Sequence, residues 1–213
     1  MARRKKEPLK VHREKISSAA SKLFIEKGVV ATTVDEIAKA AGYSKATLYV
    51  YFENKEEIFF SLVYKHMQNL YKTIEDITLY NIDSKEEWID SYLQICIAIQ
   101  KLCREYPIYF EGMIGDINVD VFSDKTPEIY KDIYNLGLNL SNLVKTMVKK
   151  GIEFKVFKPN NNINAIMIFF WSSISGIVRM AEKKKSYYKL LNLDNDEFFK
   201  QEFLSLLKCC ENI

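Results

Sequence analysis

The chain has 213 residues, of which 48% are hydrophobic, 28% charged and 13% aromatic, so a disordered chain is excluded and one or two small domains are allowed. With only 7 Gly and 4 Pro, a turn-dense sandwich or barrel is excluded as well, since such folds need a turn signal every ~8–12 residues. The formal charge of +3 divides unevenly: residues 1–55 carry 12 Lys/Arg against 6 Asp/Glu, and residues 56–213 carry 19 against 22, a basic head on a mildly acidic body.

The elements follow in chain order. Residues 1–9 form a basic, flexible tail. The first helix runs from about Lys10 to Lys27, with Ile16, Ala19, Ala20, Leu23 and Phe24 at spacings of three and four, and Gly28 stops it. Thr33-Val34-Asp35-Glu36 is a capping box for the second helix, in which the Thr33 hydroxyl and the Glu36 carboxylate satisfy each other's backbone amides. That helix ends at Gly42. One residue later Ser44 caps a third helix, about Lys45 to Tyr51, and two short helices joined by a Gly-containing turn make a helix-turn-helix. Asn54 caps a long fourth helix reaching about Ile77. Further helices start at Ser84-Lys85-Glu86-Glu87, between Tyr106 and Gly115, and at Thr126-Pro127, the last of these stopping at Gly151. The final two cover about Ile163 to Lys184 and Asp194 to Cys210. This predicts an all-α chain of about nine helices.

Cys96 and Cys103 share a helix face as small hydrophobes, and the adjacent Cys209 and Cys210 are poorly placed to bond each other. A reduced, cytoplasmic protein without a disulfide framework is expected. With only His12 and His66 to supply imidazole, no metal site and no cofactor are expected. The basic opening lacks the apolar core of a secretory signal. Pro159 to Val178 is free of charge, but its strongly apolar part, Ala165 to Trp171, falls short of the ~20 residues a bilayer requires, so no membrane partner is expected.

The segment Thr33 to Lys55, TVDEIAKAAGYSKATLYVYFENK, resembles the amino-terminal helix-turn-helix of the TetR family of transcriptional repressors. The resemblance rests on Thr33, Ile37-Ala38, the Ala41-Gly42-Tyr43-Ser44 turn, the run Lys45 to Tyr49, Tyr51-Phe52 and Lys55, and it covers about residues 10–57. It implies a DNA-binding domain at 10–57 and an effector-binding and dimerisation domain at 58–213. By that resemblance Thr33, Tyr49 and Lys55 lie on backbone phosphates, and Lys45, Ala46 and Thr47 lie close to bases. Ser44 adds a donor at the amino-terminal end of the helix that enters the major groove. Val50 departs from the family pattern; it has no hydrogen-bonding group and can meet only a thymine methyl. Tyr43, Leu48, Tyr51 and Phe52 are expected in the small core of the head.

In the body, the helix from Ile163 carries two apolar stripes, which implies burial against its own domain and against a second copy. Ile166, Phe170, Ile174 and Ile177, with Phe199, Phe203 and Leu206 of the last helix, are the expected homodimer interface. Tyr64, Met67, Trp88, Tyr92, Tyr109, Met113, Tyr130, Tyr134 and Phe170 are either ordinary core or the lining of an effector pocket for a small hydrophobic or aromatic molecule. Glu105, Glu111 and Asp116 could pair with a cationic ligand. No catalytic residues are expected: a glycine-rich phosphate loop, a Gly-x-Ser-x-Gly elbow and a His-Glu-x-x-His pair are all missing. The expected function is a ligand-responsive repressor that binds a palindromic operator in double-stranded DNA as a homodimer. The rival is a helical adaptor that uses the same motif only for packing.

Overall fold

The structure is a computed structural model, and it describes residues 8–80, 82–115, 120–159, 162–193 and 195–211. Ten helices and no strand occur among the described residues: α1 (Leu9–Lys27), α2 (Val34–Ala41), α3 (Lys45–Tyr49), α4 (Lys55–Leu79), α5 (Lys85–Glu105), α6 (Pro107–Ile114), α7 (Glu128–Glu153), α8 (Ile163–Lys183), α9 (Lys185–Leu190) and α10 (Asp196–Glu211). The all-α expectation holds, with α9 as the helix the sequence did not announce. Arg3, Arg4, Lys5, Lys6, Asp116 and Asp194 lie outside the described residues.

Side-chain caps set the starts of α2, α4 and α5. Thr33 accepts from the Glu36 amide at 3.3 Å while the Glu36 carboxylate accepts from the Thr33 amide at 2.8 Å, a complete capping box. At α4 and α5 the reciprocal arm reaches one residue further back. Asn54 accepts from the Glu57 amide, and the Glu57 carboxylate takes the amide of Glu53. Ser84 accepts from the Glu87 amide, and the Glu87 carboxylate takes the amide of Asp83.

The chain divides into two compact units. The first is Met1–His66 with Glu111–Asp132, and the second is Met67–Phe110 with Ile133–Ile213. This division falls within α4, between His66 and Met67, and a distant segment groups with the first unit. In the first unit a Cβ on Gly112 of α6 would lie 2.7 Å from Val63 and 3.0 Å from Phe59, so glycine is what lets α6 approach α4. The Tyr130 ring meets Phe60 at 4.9 Å.

In the second unit, α8 packs against α5 and α10 through Ile166, Phe170, Ile174, Val178 and Ala181, all buried. By length and composition alone α8 is apolar enough to cross a membrane, which corrects the expectation that its apolar part is too short. α7 also runs past Gly151, where a stop was expected. A Cβ there would sit 2.7 Å from Phe157 and 2.9 Å from Trp88, so the glycine serves a close contact and not a helix end. Of the four free thiols only Cys209 is exposed. Burial pushes Cys96 up to about 12 and raises Cys210.

Candidate nucleic-acid interface

The turn between α2 and α3 closes on Gly42 at φ 77°. Its amide donates to the Lys39 carbonyl at 3.2 Å, and the next amide, that of Tyr43, donates to Ala38 at 2.8 Å. These two bonds make a Schellman closure, and the left-handed residue it requires is tolerated best by glycine. Ser44 then caps α3 by accepting from the Thr47 amide at 3.1 Å, and the two hydroxyls bond each other at 2.8 Å. Leu48 is fully buried and anchors the helix. Lys45, Ala46, Tyr49 and Val50 are left on the exposed side, Val50 at 72% and Tyr49 at 47% exposure. A short rod with one buried anchor and an outward face of small, aromatic and cationic groups has the shape that enters a major groove.

Three contacts hold that rod in place. The Arg13 guanidinium lies 3.9 Å over the Phe52 ring, donates to Glu57 at 2.8 Å and also donates to the Tyr51 carbonyl. One side chain of α1 therefore fixes the exit of α3 and the start of α4. The His12 ring stacks on Tyr51 at 4.9 Å and its Nδ1 bonds the Tyr43 hydroxyl at 2.6 Å. Leu48 and Phe52 are core as expected, while Tyr43 and Tyr51 are half-buried members of this His12 cluster. Third, Lys45 at the start of α3 pairs with Asp35 of α2 at 2.8 Å, which holds its ammonium in the charged form and raises its pKa.

Thr33 is exposed at the start of α2. Its hydroxyl donates to the Glu36 carboxylate, which also meets Lys27. Lys27 first, then the Thr33 amide and hydroxyl, lower the Glu36 carboxyl to about 2. Lys55, expected on a backbone phosphate, is half-buried at the start of α4. Its ammonium donates to the carbonyls of Val29 at 2.7 Å, Val30 at 3.2 Å and Thr32 at 2.8 Å. An ammonium has three donors, and in this arrangement all three close the α1–α2 connection. Sequence reasoning missed Asp35, Arg13 and His12 as partners. Asp35 was legible only as part of a capping run, and the other two pair with residues 31 to 44 positions away.

The expected pocket residues separate. Tyr64, Met113 and Tyr130 belong to the first unit, and Met67, Trp88, Tyr92, Tyr109, Tyr134 and Phe170 to the second. Trp88, Tyr92 and Phe170 come together with Phe157, which the sequence reading passed over. Trp88 stacks on Tyr92 at 5.8 Å, and Phe157 and Phe170 meet Trp88 and Tyr92 edge-on, each at 5.3 Å. Both polar handles are satisfied, Trp88 Nε1 by the Met147 carbonyl at 2.8 Å and the Tyr92 hydroxyl by the Phe203 carbonyl at 2.9 Å. This cluster is packed core. Met67 and Tyr109 are buried too, whereas Tyr134 is exposed. Glu105 is exposed and pairs with Lys101 at 3.9 Å, which counts against a cationic-ligand role.

Of the expected interface residues, Ile166, Phe170, Ile174, Phe199 and Phe203 are buried against their own chain, and Ile177 and Leu206 are half-buried. The exposed side of α8 includes Ile168, Phe169, Ser172, Gly176 and Met180, and a Cβ on Gly176 would meet nothing within 4 Å.

Comparison with known proteins agrees with this geometry. Residues 16–62 match the model of bacterial regulatory proteins, tetR family. The biofilm operon icaADBC HTH-type negative transcriptional regulator IcaR of Staphylococcus aureus (strain Newman) is 27% identical over 117 residues, covering 50% of this chain. The chain spans 63% of that relative's length. The fold is shared with the fatty acid degradation regulator FadR of Bacillus halodurans, at TM-score 0.67 and 22% identity over 96% of this chain and 97% of that one. It is shared also with FadR of Bacillus subtilis in complex with stearoyl-CoA, at TM-score 0.61 and 20% identity over 92% and 95%.

Proposed function

Because residues 16–62 match the tetR-family model and fold as a helix-turn-helix, we propose that this chain is a ligand-responsive transcriptional repressor that binds a palindromic operator as a homodimer. The observation that carries the reading is α3 itself, capped by Ser44, anchored by Leu48 and presenting Lys45, Ala46, Tyr49 and Val50 outward. Lys45, Ala46 and Thr47 are assigned to base edges, Ser44, Thr33 and Tyr49 to the phosphate flank, and Val50 to a thymine methyl. Lys55 acts beneath them as a structural tie.

Two recognition helices about 34–36 Å apart read a palindrome, so the function needs two copies. The Phe169–Ser172–Gly176–Met180 stripe of α8 supplies the joining surface in this reading, since its small central residues allow close approach of an identical helix. The effector is a small hydrophobic molecule held by the body; the neighbour solved with stearoyl-CoA supports that class. Effector binding changes operator affinity only through its differential affinity for the two arrangements of the dimer. The protein works as a cytoplasmic binding protein and not as an enzyme.

The test is titration of the purified chain against DNA flanking its own coding region, with and without a palindrome, at several salt concentrations. A repressor shows a steep loss of affinity with added salt and a preference for the palindrome. A helical adaptor shows neither, and a protein that sediments as a single copy refutes the dimer.

A further inference from the structure

Gln100 of α5 is 8% exposed, and its Nε2 is buried without a hydrogen-bond partner. A buried donor left unpaired is costly and demands an explanation. Gln100 lines two cavities of the second unit. The larger, about 650 Å³, is a groove between α5 and α10. The smaller, about 200 Å³, lies among α5, α8, α9 and α10. Arg104 and Phe199 also line both. Residues 100 and 104 are one helical turn apart, so the amide and the guanidinium share a face of α5. Arg104 meets Asp196 at 3.6 Å, beyond hydrogen-bond length, and is 48% exposed, so its donors can turn to a tighter acceptor.

We propose that this groove binds a monocarboxylate with a short apolar tail. The carboxylate accepts from Gln100 Nε2 and from Arg104, and the tail lies on Leu93, Ile97, Phe199 and Phe203. An acceptor is required because the unpaired atom is a donor. Lys101, Arg104 and Lys200 line the groove against Asp90, Glu105, Asp196 and Glu197, so it holds no surplus of positive charge for a dianion, and a singly charged head is the anion it suits. A planar carboxylate matches the guanidinium fork. Ser175, whose hydroxyl is likewise buried without a partner, lies one turn before Val178, which lines the smaller cavity. The packing of this region thus leaves a second polar atom waiting for an acceptor or donor.

The site is tested independently of DNA binding, by calorimetric titration of the full-length protein with octanoate, octyl phosphate, octanol and octylammonium. Octanoate is expected to bind saturably and more tightly than the other three. Gln100→Leu and Arg104→Gln should each weaken it by about tenfold or more. Both variants should melt no lower than the parent, because one removes an unpaired donor and the other an exposed side chain. Undetectable binding of octanoate, equal binding to both variants and the parent, or preference for octylammonium or octyl phosphate would each overturn the assignment. A repressor that fails to respond to octanoate on DNA, yet binds it through these two residues, leaves the site standing and separates its fate from that of the regulatory reading.

Discussion

Lys45 Nζ lies 2.8 Å from Asp35 Oδ2, so the first residue of α3 is tied to the helix before it. The pair is exposed at both ends, where ion pairs are worth little and salt screens them. On approach of a duplex, Asp35 repels phosphate while it occupies the ammonium that phosphate or guanine would attract. Asp35→Asn should therefore tighten operator binding by roughly two- to fivefold at low salt. The gain should shrink as salt is raised. Fluorescence anisotropy over a salt series checks this; weaker binding by the variant would mean that the tie orients Lys45 and does not restrain it.

Lys55 and three backbone carbonyls make a different kind of contact. Lys55→Met leaves the carbonyls of Val29, Val30 and Thr32 without their shared donor, a loss of about 2 kcal/mol for bonds to a charged group. Urea unfolding should show that loss, while the slope of log affinity against log salt stays at the parent value. A slope reduced by about one with unchanged stability would restore the phosphate role.

Acid should loosen the head through Glu36. Its folded-state pKa is depressed from 4.5 to about 2, so its contribution is fully present above the ordinary carboxylate range and fades as pH falls from 4.5 towards 2. The difference in unfolding free energy between the parent and Glu36→Gln should be constant at neutral pH and vanish across that window. Chemical denaturation at a series of pH values measures it; a difference that grows on acidification would contradict the capping-box assignment.

Substitution at two points of the second unit should expose how tightly its aromatic cluster is built. Gly151→Ala forces a methyl against Phe157 and Trp88 and should cost about 1–3 kcal/mol through overpacking. Tyr92→Phe strips the donor from the Phe203 carbonyl and should cost about 1–2 kcal/mol. Thermal unfolding reads both, and a neutral Gly151→Ala would show that the cluster has room to yield.

The difference between what the sequence shows and what it hides follows from distance along the chain. Helix starts at Thr33, Ser44, Asn54 and Ser84 were legible because each cap acts within four residues. The placement of α3 was legible for the same reason, with Gly42 and Ser44 bracketing the turn. The carbonyl contacts of Lys55 were hidden because its partners lie 23 to 26 residues away. Gly151 was misread because a glycine stop and a glycine contact look alike until Phe157 folds back. On α8 both stripes are apolar, so composition shows two apolar faces but not which one turns inward. Gln100 carried no signal at all, since a buried glutamine without a partner is a property of packing.

The thiols offer a practical consequence. Cys96, Cys103 and Cys210 are buried, and Cys209 alone faces solvent near the end of α10. A maleimide dye will thus react at one native position per chain, with no engineered handle. Energy transfer between a donor-labelled and an acceptor-labelled copy then reports whether two chains come together and how far apart those thiols lie.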